Sequence, residues 1–308
     1  MLDLWIYLLL FIFGTAIGSF LNVVILRYDP DKKLFAGTNG RSHCMSCGKN
    51  LHWYELIPLV SFIIQLGRCR SCKARLSWQY PVVEFIAGAI FVLVPYVLLP
   101  IGLINASYAV YLPVILWTLV FITLLLISVI DFHLYIIPDG LNVAIFIFAA
   151  VNFINLYLIG NFGELQNNLY HSLLGTHAGI AGTLLGTKAA FLMFMSQNIW
   201  LNFILGGVFG GAFFGAIYFL SRGRAMGFGD VKLALAAGFL LGLPDMILAT
   251  MLAFITGALA GLFLMIRRKK GIKDHLPFGP FIALGITLVF FFGYDIVDGY
   301  FRFFSFLG

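Results

Sequence analysis

Residues 111–131 read YLPVILWTLVFITLLLISVID: twenty residues without a charge, closed by an aspartate. A helix rises about 1.5 Å per residue, so about 20 apolar residues cross the hydrocarbon core of a bilayer. This stretch predicts a membrane span with an ionisable group at its end. Such a group is costly in lipid and needs a reason.

The rest of the chain agrees with the first half of that reading. Of 308 residues, 61% are hydrophobic and 10% are charged, with a mean hydropathy of +1.00. Soluble domains carry roughly 25% charged residues. The solvent for most of this chain is therefore lipid. The net charge of +6 fits basic membrane-flanking loops, and no basic amphipathic or aromatic-ladder segment points to nucleic acid.

Further spans are expected at Leu4–Leu26, 81–101, 141–159, 200–220, 231–243, 246–266 and 278–294, about eight in all. Leu4–Leu26 is too long for a signal-peptide core and follows Asp3, not a basic region. Pro95 and Pro100 are expected to kink or end the second span. The sixth, at 231–243, needs extension at its N-terminal end. Ile180–Met195 is apolar but short and contains Lys188, which favours a re-entrant or interfacial helix. Gly206, Gly207, Gly210, Gly211 and Gly215 predict tight helix packing.

With residues 28–79 placed in the cytoplasm, this threading puts every Lys and Arg except Lys188 and Arg302 on the cytoplasmic side. The positive-inside rule then selects one orientation, with both termini extracytoplasmic. The fold class expected is an all-α polytopic membrane protein carrying a small zinc-binding cytoplasmic domain after its first helix. Its parts are the first helix (1–27), the zinc-binding segment (28–79), and a membrane domain (80–308) with an insertion at about 161–198.

The zinc expectation comes from Cys44, Cys47, Cys69 and Cys72, two C-x2-C pairs. Two such knuckles bring four thiolates round one tetrahedral Zn²⁺. Four protein ligands leave no open position, so the metal is structural. A disulfide framework, or a redox or iron–sulfur role, is the alternative; the reducing cytoplasm opposes disulfides. A segment of this size has too little core to fold alone, and metal supplies the difference. His43 and His52 read as surface residues beside the cluster.

Asp131 and Asp230 share one membrane face in this threading. Two carboxylates from separate helices at one depth can share a proton. One then takes a proton from water while the other polarises a peptide carbonyl. Gly227 and Gly229, just before Asp230, allow a sharp helix entry and close approach of a substrate backbone. The blander reading of a lone Asp at a helix end is an N-cap, and Asp139 is assigned that role. Glu84 is expected to pair with Arg75 or another base. His133 and His275 read as interface residues, and Asp295 and Asp298 lie towards the far side. A transporter with a regulatory zinc knuckle, or a non-catalytic scaffold, are the rival classes. Carboxylates at one edge and not at mid-membrane count against transport.

Five ordered motifs resemble the type IV prepilin peptidase family, the bifunctional leader peptidase and N-methyltransferases of the GxGD intramembrane aspartic peptidase type. They are GSFLNVV (18–24), SHCMSC (42–47) with ELIPLVS (55–61), GRCRSC (67–72) with YPVVE (80–84), ID…IPD (130–139), and GFGDVKL (227–233); PFGPF (277–281) resembles the family's late loop. The resemblance implies that Asp131 and Asp230 are the catalytic pair. It implies type IV prepilin or pseudopilin substrates, cut at the cytoplasmic side of the bacterial inner membrane. It also implies methylation of the new N-terminus from S-adenosylmethionine, with the cysteine segment linked to that activity and Gly67 a methyltransferase-associated candidate. The Asp131–Asp230 separation exceeds that of the family, the excess lying in residues 165–198.

Overall fold

A computed structural model of the chain describes residues 2–32, 34, 37, 40–98, 108–160, 199–267 and 276–307. Among them there are helices and no strands, apart from two isolated antiparallel bridges. The chain divides into two compact units, Met1–Val97 and Leu98–Gly308.

The first unit holds helices α1 (Leu2–Leu26) and α3 (Gln79–Leu98), with a single 3-10 turn (Trp53–Glu55) and the short α2 (Val60–Ile64) between them. Helices α1 and α3 meet through small residues. A Cβ on Gly14 would lie 2.8 Å from the Ala87 carbonyl, and one on Gly18 2.7 Å from Glu84 Cα. Spacing of four puts both glycines on one helix face, the small-residue device by which apolar helices approach closely. Ring pairs Phe11–Phe85 and Phe13–Phe91 flank that seam. Pro95, expected to kink or end the second span, lies inside α3, which continues to Leu98.

The second unit holds α4 (Tyr108–Leu134), α5 (Asp139–Gly160), α6 (Ile199–Ser221), α7 (Phe228–Leu241), α8 (Leu243–Ile266) and α9 (Gly279–Leu307). Helix α7 packs against α6 and α5, α8 against α9 and α6, and α4 against α5 and α9. The expected glycine packing is the closest of these contacts. A Cβ on Gly210 would collide with the Ala234 carbonyl, and one on Gly206 or Gly238 with the other's carbonyl. Helix α7 answers with Ala234, Ala236, Ala237 and Gly238, all buried.

Several boundaries differ from expectation. Helix α4 runs a turn past the apolar stretch, so Asp131 lies inside its last turn and not beyond its end. The eighth stretch extends to Leu307. Helix α7 starts three residues before the expected sixth span and ends two residues before its end, so it has only 14, about 21 Å at helical rise against roughly 30 Å of hydrocarbon. Gly242 stops it: its φ of +85° is cheap only for glycine. The Asn202 side chain accepts the Leu243 N–H at 2.9 Å there, so α8 starts at once. Among the described residues five helices are long and apolar enough to cross a membrane, and Asp139–Asn155 and Gly279–Gly293 are shorter apolar helices. Such a set fits a multi-pass membrane protein. The expected re-entrant helix Ile180–Met195 and the insertion at 161–198 lie outside the described residues, as does His275.

The α6–α7 seam yields a direct test. Gly238→Ala is expected to force the two helices apart and cost about 1–3 kcal/mol, read as a lower melting temperature in detergent. Gly140→Ala, where a Cβ meets nothing within 4 Å, is expected to hold or raise it.

Candidate active site and cysteine cluster

Asp131 and Asp230 are 4% and 6% exposed and line one cavity of ≈ 350 Å³. They come from opposite chain polarities: Asp131 ends α4 and Asp230 opens α7. Each carboxylate has one oxygen fixed by a backbone amide. Gly279 N–H donates to Asp131 Oδ2 at 3.0 Å, and Gly227 N–H to Asp230 Oδ2 at 3.0 Å. The two side chains are within electrostatic range of each other. Asp230 Oδ1 is buried with no hydrogen-bond partner. A buried acceptor left unmade costs about 1–3 kcal/mol, so the cavity holds an acceptor that needs a proton, a water or a substrate.

The glycines around the pair have separate tasks. A Cβ at Gly279 would stand 2.7 Å from Asp131 Oδ2, and one at Gly229 3.0 Å from Ile137 Cβ. Gly279 therefore lets a helix start approach Asp131, while Gly229 lets α7 start against the 135–138 segment. Gly227 is the extended N-cap of α7, and an acid in the first turn suits the positive end of the helix dipole.

Asp139 differs from the N-cap expected of it. It is the first residue of α5, and its Oδ1 meets Lys232 Nζ at 2.7 Å. Both side chains line the cavity with Asp131 and Asp230. At 39% and 69% exposure the pair is worth at most about 1 kcal/mol of stability. Lys232 and Gly279 were not singled out as site residues in the sequence. Each sits in a quoted motif, but only the fold reveals the partner. Glu84, expected to pair with a base, instead accepts the Leu59 N–H at 2.8 Å and the Ser19 hydroxyl. His133 lies in the last turn of α4, and residues 295 and 298 fall within α9.

In the first unit the four cysteines converge, their sulfurs all within 4.8 Å of one another and Cys44 Sγ 3.9 Å from Cys72 Sγ. A tetrahedron of Zn–S bonds of about 2.3 Å sets sulfurs about 3.8 Å apart, so this cluster fits a single tetrahedral ion. The two knuckles are built alike. Cys44 N–H donates to Lys49 O and Gly48 N–H to Cys44 O; Cys69 N–H donates to Ala74 O and Lys73 N–H to Cys69 O. Bridges His43–Asn50 and Arg68–Arg75 close the two loops. Backbone N–H groups of Cys72 and Ser71 pull the Cys69 thiol down to about 6. For Cys72 the Ala74 N–H works downward, but desolvation and the neighbouring sulfurs outweigh it and push the thiol up to about 11. Thiolates crowded this way need a shared cation. His43 and His52 stay out of the cluster; His52 stacks on Tyr54. Gly67, at φ +64°, receives the end of α2 through its N–H to Phe62 O and lies against the Phe62 ring.

Helices long and apolar enough to cross a membrane thus accompany a cavity lined by two buried carboxylates. Residues 12–98 match the Bacterial Peptidase A24 N-terminal domain, and residues 118–262 match the Type IV leader peptidase family. The first match ends one residue past the division after Val97, and the second lies wholly within the second unit. The chain is 29% identical over 295 residues to a Bacillus subtilis (strain 168) protein, covering 96% of this chain and 97% of that one. It is 27% identical over 320 residues to an Aeromonas salmonicida (strain A449) protein, covering 96% and 94%. It is 28% identical over 304 residues to a Burkholderia pseudomallei (strain 1026b) protein, covering 92% and 84%. All three are named prepilin leader peptidase/N-methyltransferase. No solved structure matches. The chain belongs to the type IV leader peptidase family, and it is an enzyme of the peptidase class.

The knuckle pair generates its own prediction. The residue after the second cysteine has φ +68° at Gly48 but φ +59° at Lys73. A non-glycine residue in that region costs roughly 1–2 kcal/mol. Lys73→Gly is expected to stabilise the first unit, and Gly48→Ala to destabilise it, by about that amount, as followed by tryptophan fluorescence during denaturant unfolding.

Proposed function

We propose that this chain cuts the leader from type IV prepilins or pseudopilins at the cytoplasmic face of the bacterial inner membrane and N-methylates the residue exposed. Asp131 and Asp230 form the aspartyl dyad. The observation that carries the peptidase half is the shared cavity: two buried carboxylates, each anchored by one amide, with a third oxygen left unbonded.

Two facing carboxylates resist double ionisation, so the pair holds one proton. The ionised member takes a proton from a water between them, and the protonated member donates to the scissile carbonyl oxygen. The amide anchors fix both groups in advance, so little reorganisation accompanies the reaction. Proton return to the leaving nitrogen completes hydrolysis with no covalent intermediate. Gly227–Phe228–Gly229 offers a low backbone wall beside Asp230, against which an extended substrate strand can lie.

The distribution of Lys and Arg supports the sidedness, with an eight-span threading that leaves both termini extracytoplasmic. The proposed organisation is a first transmembrane helix (1–27), a zinc-binding cytoplasmic segment (28–79) and a membrane peptidase domain (80–308) with the 161–198 insertion. Cys44, Cys47, Cys69 and Cys72 would hold one structural Zn²⁺. The printed names of the relatives support the second activity. S-adenosylmethionine would supply an electrophilic methyl group, and Gly67 belongs to the segment proposed to serve that step.

Two experiments bear on this. Asp131→Asn and Asp230→Asn should each abolish leader removal from a co-expressed prepilin, with folded protein still present; mass spectrometry of the product's N-terminus reports cleavage and methylation together. Normal processing by either variant removes the dyad. Elemental analysis of the purified chain should find one zinc per protein, lost on Cys44→Ser or Cys72→Ser. A zinc-free wild type ends the metal assignment.

A further inference from the structure

A second cavity, of ≈ 360 Å³, lies wholly within the first unit. Its size is at the lower end for small-molecule sites, roughly 300–1,000 Å³. Its lining includes three buried acceptor side chains: Glu84 at 7% exposure, Glu55 at 9% and Asn22 at 2%.

Each is anchored within the unit, Glu84 by the Ser19 hydroxyl as well as by a backbone amide. Glu84 takes the Leu59 N–H, and Glu55 Oε2 takes the His52 N–H at 2.9 Å. Asn22 Nδ2 donates to Tyr80 O at 3.2 Å. The Asn22 Oδ1 is buried and has no hydrogen-bond partner. An orphaned acceptor beside two buried carboxylates calls for a donor that carries positive charge.

Two guanidiniums also line the cavity, and they are not equivalent. Arg27 is committed to the backbone, donating to Gly37 O at 3.3 Å and Arg41 O at 3.1 Å. Arg75 is the cation on the wall that can meet a ligand carboxylate. The two carboxylates and this guanidinium are the charged side chains offered to a ligand; His43 and the sulfurs of Cys44 and Cys69 line the same cavity. Leu26, Leu51 and Phe62 give the same cavity an apolar side.

We infer that this cavity is the methyl-donor site, in which Glu84, Glu55 and Asn22 receive the ammonium and sulfonium of S-adenosylmethionine and Arg75 its carboxylate. The match is charge for charge: the donor carries two cationic centres and one anionic one. This rests on the methyltransferase reading above and adds the residues and the basis of their selectivity.

That basis has a consequence for turnover. In methyl transfer the substrate amine nitrogen bonds the methyl carbon, the carbon–sulfur bond breaks with its electron pair left on sulfur, and the nitrogen gives up a proton. The sulfur passes from cationic to neutral. The paired glutamates then face one cation fewer, so the product is held less tightly than the donor, and donor replaces product. Gly67 connects to this wall through Phe62. A Cβ on Gly67 would stand 3.1 Å from the Phe62 ring, and that ring lines the cavity.

The test is calorimetric titration of the full chain in detergent with S-adenosylmethionine and with S-adenosylhomocysteine. Wild type should bind the charged donor more tightly than the neutral-sulfur product. Glu84→Gln and Glu55→Gln keep an oxygen for the Leu59 and His52 amides. They should weaken donor binding by about 10- to 100-fold, the range of a lost charge-assisted hydrogen bond, and bring the donor-to-product ratio towards one. Arg75→Met should weaken both ligands alike. Unchanged zinc content verifies the fold of each variant. A wild type that binds donor and product equally overturns the inference without any variant. Glutamine variants that retain the wild-type ratio overturn it too, while leaving the methyltransferase reading intact. A wild type that binds neither ligand and leaves cleaved prepilin unmethylated sinks that reading itself.

Discussion

A carboxylate buried in a protein that itself sits in lipid must be met by fixed donors, and here both are met by the start of a helix. Gly279 N–H, at the beginning of α9, holds Asp131 from α4; Gly227 N–H, at the beginning of α7, holds its own neighbour Asp230. Helix starts are the natural place for this, since their first amides have no intrahelical partner and point at whatever lies ahead. Both donors are glycines, and at Gly279 a side chain would occupy the space in which Asp131 sits. Two long-range consequences follow: α4 and α9 must pack with their ends in register, and α7 must begin where α4 ends.

The packing of α7 enforces that second condition. A helix of 14 residues has little side-chain area to contribute, so its placement depends on close backbone approach. Glycine against glycine at 206 and 238, and glycine against alanine at 210 and 234, bring α6 and α7 nearer than larger side chains would permit. Van der Waals attraction falls steeply with distance, so close approach compensates for small residues. Gly229 repeats the device against Ile137, one residue before Asp230. The glycines that look like a loose composition in the sequence thus fix the position of the carboxylate.

Much of this was legible in the sequence because lipid imposes a simple code. Length and hydropathy locate helices such as Leu2–Leu26 and Ile199–Ser221 to within two residues. Two C-x2-C pairs imply four converging sulfurs, since the spacing leaves each pair few other geometries. The aspartates stood out because charge is scarce. Other features depended on which surfaces meet. That Glu84 answers a backbone amide and not Arg75 follows from the turn at Leu59, whose φ of +60° no periodicity announces. Asp139 looked like a cap from its neighbours, yet its partner Lys232 lies 93 residues away. Pro95 lies inside α3, three residues before Leu98.

The shortness of α7 has a chemical meaning beyond packing. Hydrolysis at the proposed pair would require water to reach it within a membrane protein. Helix α7 is short of the hydrocarbon thickness by about 9 Å at helical rise, and its first turn carries Asp230 with Lys232 close behind. Lys232 reaches Asp139 at the cavity wall, where both side chains are exposed. A charged pair there draws water to the same rim at which a substrate backbone would have to enter. On the proposed reading the deficit in length would be a means of supply, with the bundle around α7 as the apolar walls and the missing turns as room for water near the pair. Filling that gap with a longer, fully apolar helix would make a better span and a worse hydrolase.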